Sequence, residues 1–175
     1  MSETEEISVP VKKAPVRHAC LNFKRLGREF AMQFLFQCDM AGGERTDSME
    51  EQFWIQAEES GEFPPNRIFR KARAYAEKLI DGVFAYEPEI LDDIVHFSRK
   101  WDSERMSAVD RNIMKVAIYE LKYCPDIPVL VSINEAIEIA KDFSSEKSGM
   151  FINGILNSLK NTLPPEAKVK EAEKK

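Results

Sequence analysis

The sequence predicts an all-α protein of about seven helices. Three observations carry that reading. Apolar residues recur at intervals of three and four from Asn22 to Leu163. Cap-forming residues stand just before several of those runs. Only 7 Gly and 9 Pro occur in 175 residues, too few for the many turns of an all-β fold. The length fits one ordinary domain, or two small helical subdomains sharing a core, and buries roughly 70% of the unfolded surface. We place a flexible basic arm at 1–20, the helical body at 21–163 and a charged flexible tail at 164–175. Within the body, an N-terminal helical part spans about 21–86 and a C-terminal part about 87–163.

The elements follow in order. In the first helix Phe23, Phe30, Ala31, Phe34, Leu35 and Cys38 share an apolar face, and Gly42-Gly43 ends it. Met32 and Phe36 lie off that stripe, which leaves one of them available as a contact residue. Ser48 with Glu51 fits a capping box and opens a second helix, to about Glu59. Gly61 and Pro64-Pro65 break it. A third helix, about Arg67 to Tyr86, buries Phe69, Ala72, Ala76, Leu79, Ile80 and Val83. Pro88 suits the first turn of a fourth, which carries Ile90, Leu91, Ile94 and Val95.

Ser107 with Asp110 caps a fifth helix, Ala108 to Tyr123, whose buried side is apolar except for Glu120. A carboxylate there needs a cation or a backbone donor as partner. Residues 128–133 have a strand-like composition, but Ser132 and Glu135 fit another capping box. We therefore expect a connector and then a sixth helix to Phe143. Phe151, Ile152, Ile155, Leu156, Leu159 and Leu163 mark the seventh, before Pro164-Pro165.

The net charge is −5, from 25 Lys+Arg and 30 Asp+Glu, yet no acid occurs between Ile7 and Arg28. That stretch holds Lys12, Lys13, Arg17, His18, Lys24, Arg25 and Arg28. A cationic arm leading into a cationic helix start suits a phosphate backbone. No phosphate loop, dinucleotide fingerprint, HExxH or GxSxG motif is present. His18 and His96 lack companions at metal spacing, and Cys20, Cys38 and Cys124 have no paired spacing. The pattern supports neither covalent nor acid–base catalysis, nor a metal or cofactor. The acidic start is unlike a secretory signal, and no apolar run reaches the ~20 residues of a membrane span, so we expect a cytoplasmic protein.

Four stretches resemble one family. Arg28-Glu29-Phe30-Ala31-Met32-Gln33-Phe34-Leu35-Phe36 is similar to the opening R-E-x-A-x-Q-x-L-Y/F of the NusB transcription antitermination factors. Residues 113–121, IMKVAIYEL, resemble their I-L-R-I-A-x-Y-E-L helix. Residues 133–141, INEAIEIAK, and 151–156, FINGIL, match two further motifs in the same order and spacing. The resemblance covers about Phe23 to Leu159.

It implies an all-α fold of two helical subdomains and no enzymatic activity. It further implies binding to the boxA element of nascent ribosomal RNA together with NusE, a small-subunit ribosomal protein. That complex joins other Nus factors on RNA polymerase and suppresses premature termination. Carried over by position, Lys24, Arg25 and Arg28 contact RNA, and Lys147 and Phe151 lie near it. Phe36, usually Tyr in the family, and Asp110 meet NusE. Lys147 replaces a frequently acidic residue. Glu120, Asn134, Glu135, Asn153 and Gly154 read as structural. Two alternatives accompany this reading. One is a protein-interaction module with weak or lost RNA binding. The other is a NusB-like domain related to ribosomal RNA methyltransferases, which expects a Rossmann motif downstream, and none follows here.

Overall fold

The computed structural model describes residues 22–60, 62, 66–101 and 106–164. These form seven helices: α1 (Phe23–Met40), α2 (Asp47–Glu59), α3 (Arg67–Ala85), α4 (Glu87–Ser98), α5 (Ala108–Tyr123), α6 (Val129–Phe143) and α7 (Glu146–Lys160). The expected arm, residues 165–175 of the charged tail, and residues 61 and 63–65 lie outside the described residues.

Local chemistry sets most helix boundaries. Asn22 Oδ1 accepts the Lys24 N–H at 3.0 Å, and Asn66 Oδ1 accepts that of Phe69 at 3.0 Å. Ser107 caps α5 through the Asp110 N–H at 3.0 Å, as its spacing predicts. Gly42 and Gly43 leave α1 at φ 94° and 88°, a conformation that favours glycine.

Two starts differ from expectation. The cap of α2 is Thr46, whose Oγ1 accepts the Met49 N–H at 3.2 Å. Thr46 is extended, at φ −125° and ψ 150°, whereas Ser48 already lies in the first turn. The connector predicted over 128–133 is also largely helix. Pro128 is the N-cap of α6, and the Ser132 N–H already bonds to the Pro128 carbonyl at 3.2 Å. Pro128 has no N–H of its own to satisfy, no side chain caps α6, and the Ser132 hydroxyl goes to Glu120 instead.

The apolar faces of all seven helices contribute to one continuous core. Phe30 meets Phe53, Trp54 and Phe69 edge to face, with centroids 6.3, 5.5 and 5.7 Å apart, which joins α1, α2 and α3. Gly27 lets α1 approach α3. A Cβ there would sit 2.9 Å from the Ala72 carbonyl oxygen and 2.9 Å from Tyr75 Cδ1. α5 runs through the middle, with every residue from Asn112 to Leu121 buried. That burial forces its polar residues to find partners, and those partners organise the charged end of the molecule.

Candidate nucleic-acid interface

The cations at the start of α1 have different fates. Arg28 lies at i−3 from Ala31 and i−7 from Leu35, so the helical period turns it inward. It is 3% exposed. Its Nε donates to Glu120 Oε1 at 2.5 Å and its Nη2 to Glu120 Oε2 at 2.9 Å, a two-pronged charge-assisted pair. Glu120, 1% exposed, also accepts from Tyr75 Oη at 3.0 Å and Ser132 Oγ at 3.3 Å. One carboxylate thus joins α1, α3, α5 and α6. Burial lowers the Arg28 pKa, but the Glu120 bond and charge outweigh it and leave the pKa raised. Burial, then the Glu120 charge, drives the Tyr75 phenol far above its ordinary range. The expectation that Arg28 meets RNA is therefore corrected. It neutralises an internal carboxylate and presents almost no surface.

Arg25 remains at the surface but is held. Its guanidinium donates to Glu29 at 3.0 Å, Glu135 at 3.3 Å and Asp142 at 3.1 Å. Glu135 also accepts from Arg28 Nη1 at 3.4 Å, so it serves a charge network rather than a cap. Lys24 has no ion pair among the described residues, and its Nζ lies 5.8 Å from the centre of the Tyr75 ring.

These contacts bring the end of α6 beside the start of α1, and the short Ser144-Ser145 turn brings α7 there as well. Lys147 is exposed on the first turn of α7. Phe151 is half-buried, with its ring edge-on to Trp101 at 5.5 Å. Trp101 is 44% exposed and covers Gly154, where a Cβ would lie 2.8 Å from the indole. Asn153 is exposed, and its Oδ1 accepts from Asn157 Nδ2 at 2.6 Å. Asn134 is exposed on α6.

Asp110 differs from expectation. It is 4% exposed, and its Oδ2 accepts from Ser148 Oγ at 2.9 Å, which ties the start of α5 to the start of α7. A side chain this buried ties α5 to α7 through Oδ2 and presents almost no surface, while its Oδ1 is buried without a hydrogen-bond partner among the described residues. Phe36 is half-buried on α1. Met32, the other candidate contact residue, is 2% exposed and belongs to the core.

One polar group was missed in the sequence. Asp39 Oδ2 accepts from Arg111 Nη2 at 2.9 Å and Asn112 Nδ2 at 2.9 Å, and its Oδ1 lies 3.5 Å from Lys115 Nζ. Lys115 also pairs with Glu87 at 2.8 Å. The signal was Asn112 and Lys115 standing in the middle of the apolar α5 pattern.

Among the described residues no cluster of His, Cys, Asp and Glu is arranged to hold a metal ion, and no helix is long and apolar enough to cross a membrane. Buried charge here is used to brace helices, and other cations stay at the surface: the class is an all-α helical protein with ion pairs in its core. A family model described as the NusB family matches residues 25–161, and the chain belongs to that family. A Myxococcus xanthus relative named transcription antitermination protein NusB is 42% identical over 134 residues, 77% of this chain and 91% of its own. A protein of the same name from Bacillus thuringiensis (strain Al Hakam) is 42% identical over 141 residues, 80% of this chain and 98% of its own. Among solved structures, T. maritima NusB superposes with a TM-score of 0.67 at 31% identity, covering 84% of this chain and 96% of that one. A NusB solved with NusE and double-stranded RNA gives a TM-score of 0.65 at 22% identity, covering 82% and 100%; it bears on the fold. Among the described residues the expected all-α class of about seven helices is borne out.

Proposed function

We propose that this chain is a non-enzymatic, cytoplasmic RNA-binding factor of transcription antitermination. It binds a boxA-type element of nascent ribosomal RNA together with NusE, and through other Nus factors helps RNA polymerase pass early termination sites. The relatives at 42% identity that carry the antitermination name support this reading along most of their length. The observation that supports it is the Arg25–Asp142 contact, which ties the first turn of α1 to the end of α6, from which the Ser144-Ser145 turn leads directly into the helix that carries Lys147 and Phe151. Lys24 and Lys147 take phosphates, Phe151 takes a base face beside Trp101, and Arg25 exchanges Asp142 for a phosphate. Arg28 and Glu120 hold the platform, Asp110 positions Ser148 on α7, and Phe36 belongs to the NusE-facing side. A titration of labelled boxA RNA against the chain, with and without NusE and against a scrambled RNA, tests this. Sequence-dependent binding tightened by NusE supports the reading. Binding of NusE without any RNA affinity overturns it in favour of a protein-interaction module.

A further inference from the structure

The exposed face of α3 carries charge that the proposed boxA platform does not use. Arg67, Lys71 and Lys78 are exposed and stand at i, i+4 and i+11, so they line one side of the helix. Tyr75, one turn from Lys71 and from Lys78, is buried at the edge of that side, and Lys24 Nζ of α1 lies 5.8 Å from its ring centre. Lys71 Nζ lies 5.5 Å from the centre of the half-buried Phe23 ring. None of these four cations has an ion pair among the described residues. The acids of α3 are engaged elsewhere: Glu77 pairs with Arg73 at 2.9 Å, and Asp81 with Arg45 at 2.7 Å. Exposed Asp126 and Lys78 both act on the Cys124 thiol by charge. A net −5 chain thus presents a cationic row without ion pairs among the described residues, leading away from Lys24 over the buried Tyr75.

We propose that this row binds the phosphate backbone of single-stranded RNA flanking the boxA element. The proposal rests on the RNA-binding reading above and extends it. The row has cations for phosphates and no fixed set of polar groups for base edges, so it adds affinity without sequence preference. Its spacing along a helix suits successive backbone charges on a strand leaving the platform at Lys24, as in the electrostatic grooves that track single strands.

Fluorescence anisotropy of the full chain with saturating NusE tests it. The probes are boxA RNA alone and boxA RNA extended by a uridine tract on its 5′ or its 3′ side. One extension should tighten wild-type binding, and the log–log salt slope for that RNA should steepen by about 1.4 for two added phosphate contacts. Lys71→Ala/Lys78→Ala should abolish both gains and leave the affinity for boxA alone unchanged. Lys160→Ala, on α7, should change neither. The proposal fails if neither extension tightens the wild type, or if the double variant keeps the gain. It also fails if the double variant loses NusE affinity while the gain from the extension survives, since the row is then a protein contact. Wild type that binds no boxA RNA at all overturns the functional reading itself, and the row with it.

Discussion

Arg28 and Glu120, 92 positions apart in the chain, form a two-pronged ion pair with almost no exposure to water. Removing one partner leaves the other charge buried and alone, which costs about 3–5 kcal/mol. Arg28→Ala and Glu120→Ala should each lower the urea midpoint strongly. Arg28→Met with Glu120→Leu should be less destabilised than either single change, because the pair's own desolvation cost is removed with it. Equal or greater loss in the double variant contradicts this account.

Gly27 stands where α1 touches α3. Replacing it with Ala improves helix propensity by roughly 1 kcal/mol. The added methyl meets a backbone oxygen, and overpacking of this kind costs about 1–3 kcal/mol. We expect Gly27→Ala to lower the melting temperature. A rise would mean that α1 and α3 are not in close contact there.

Gly27 marks a limit of sequence reasoning. As a residue in a helix it registers only as a weak helix former, and its packing role depends on Ala72 and Tyr75, far along the chain. Arg28 shows the same limit in another form. An acid-free, cation-rich start reads as a surface because cations are rarely buried unpaired. Two signals pointed inward: Arg28 shares a face with Ala31 and Leu35, and Glu120 needed a buried partner. Matching them requires knowing that α1 lies on α5. Ser132 likewise satisfies a capping spacing, but the helix begins earlier and its hydroxyl goes to Glu120. The boundaries of α1 and the cap of α5 were legible because their chemistry is local.

Asp39 gives a pH dependence. Burial pushes its pKa up, but the bonds from Arg111 and Asn112 and the charge of Lys115 hold it below the ordinary value. The unfolded chain therefore takes up this proton at a higher pH than the folded one. The stabilisation is complete above the ordinary carboxylate range and is lost as pH falls through it toward the depressed folded value. Asp39→Asn should reduce stability at neutral pH and flatten the acid limb of a plot of urea midpoint against pH. An unchanged limb removes Asp39 from the account.

Burial raises the pKa of both Cys38 and Cys124, the latter to about 11. Both thiols stay protonated in mildly alkaline solution, and the thiolate is the reactive form. Iodoacetamide at about pH 8 should modify them slowly in the native chain and readily in urea, with peptide mapping by mass spectrometry as the readout. Rapid native modification of Cys124 would mean that the end of α5 is open.

The central claim is that the outward-facing cations at the starts of α1 and α7, and not the buried Arg28, contact RNA. The direct measurement is boxA binding by fluorescence anisotropy across a salt series with saturating NusE, comparing wild type with Lys24→Ala/Lys147→Ala. The account predicts weaker binding and a log–log salt slope shallower by about 1.4, the value for two lost phosphate contacts. A folded double variant that keeps both the wild-type affinity and the wild-type slope contradicts it.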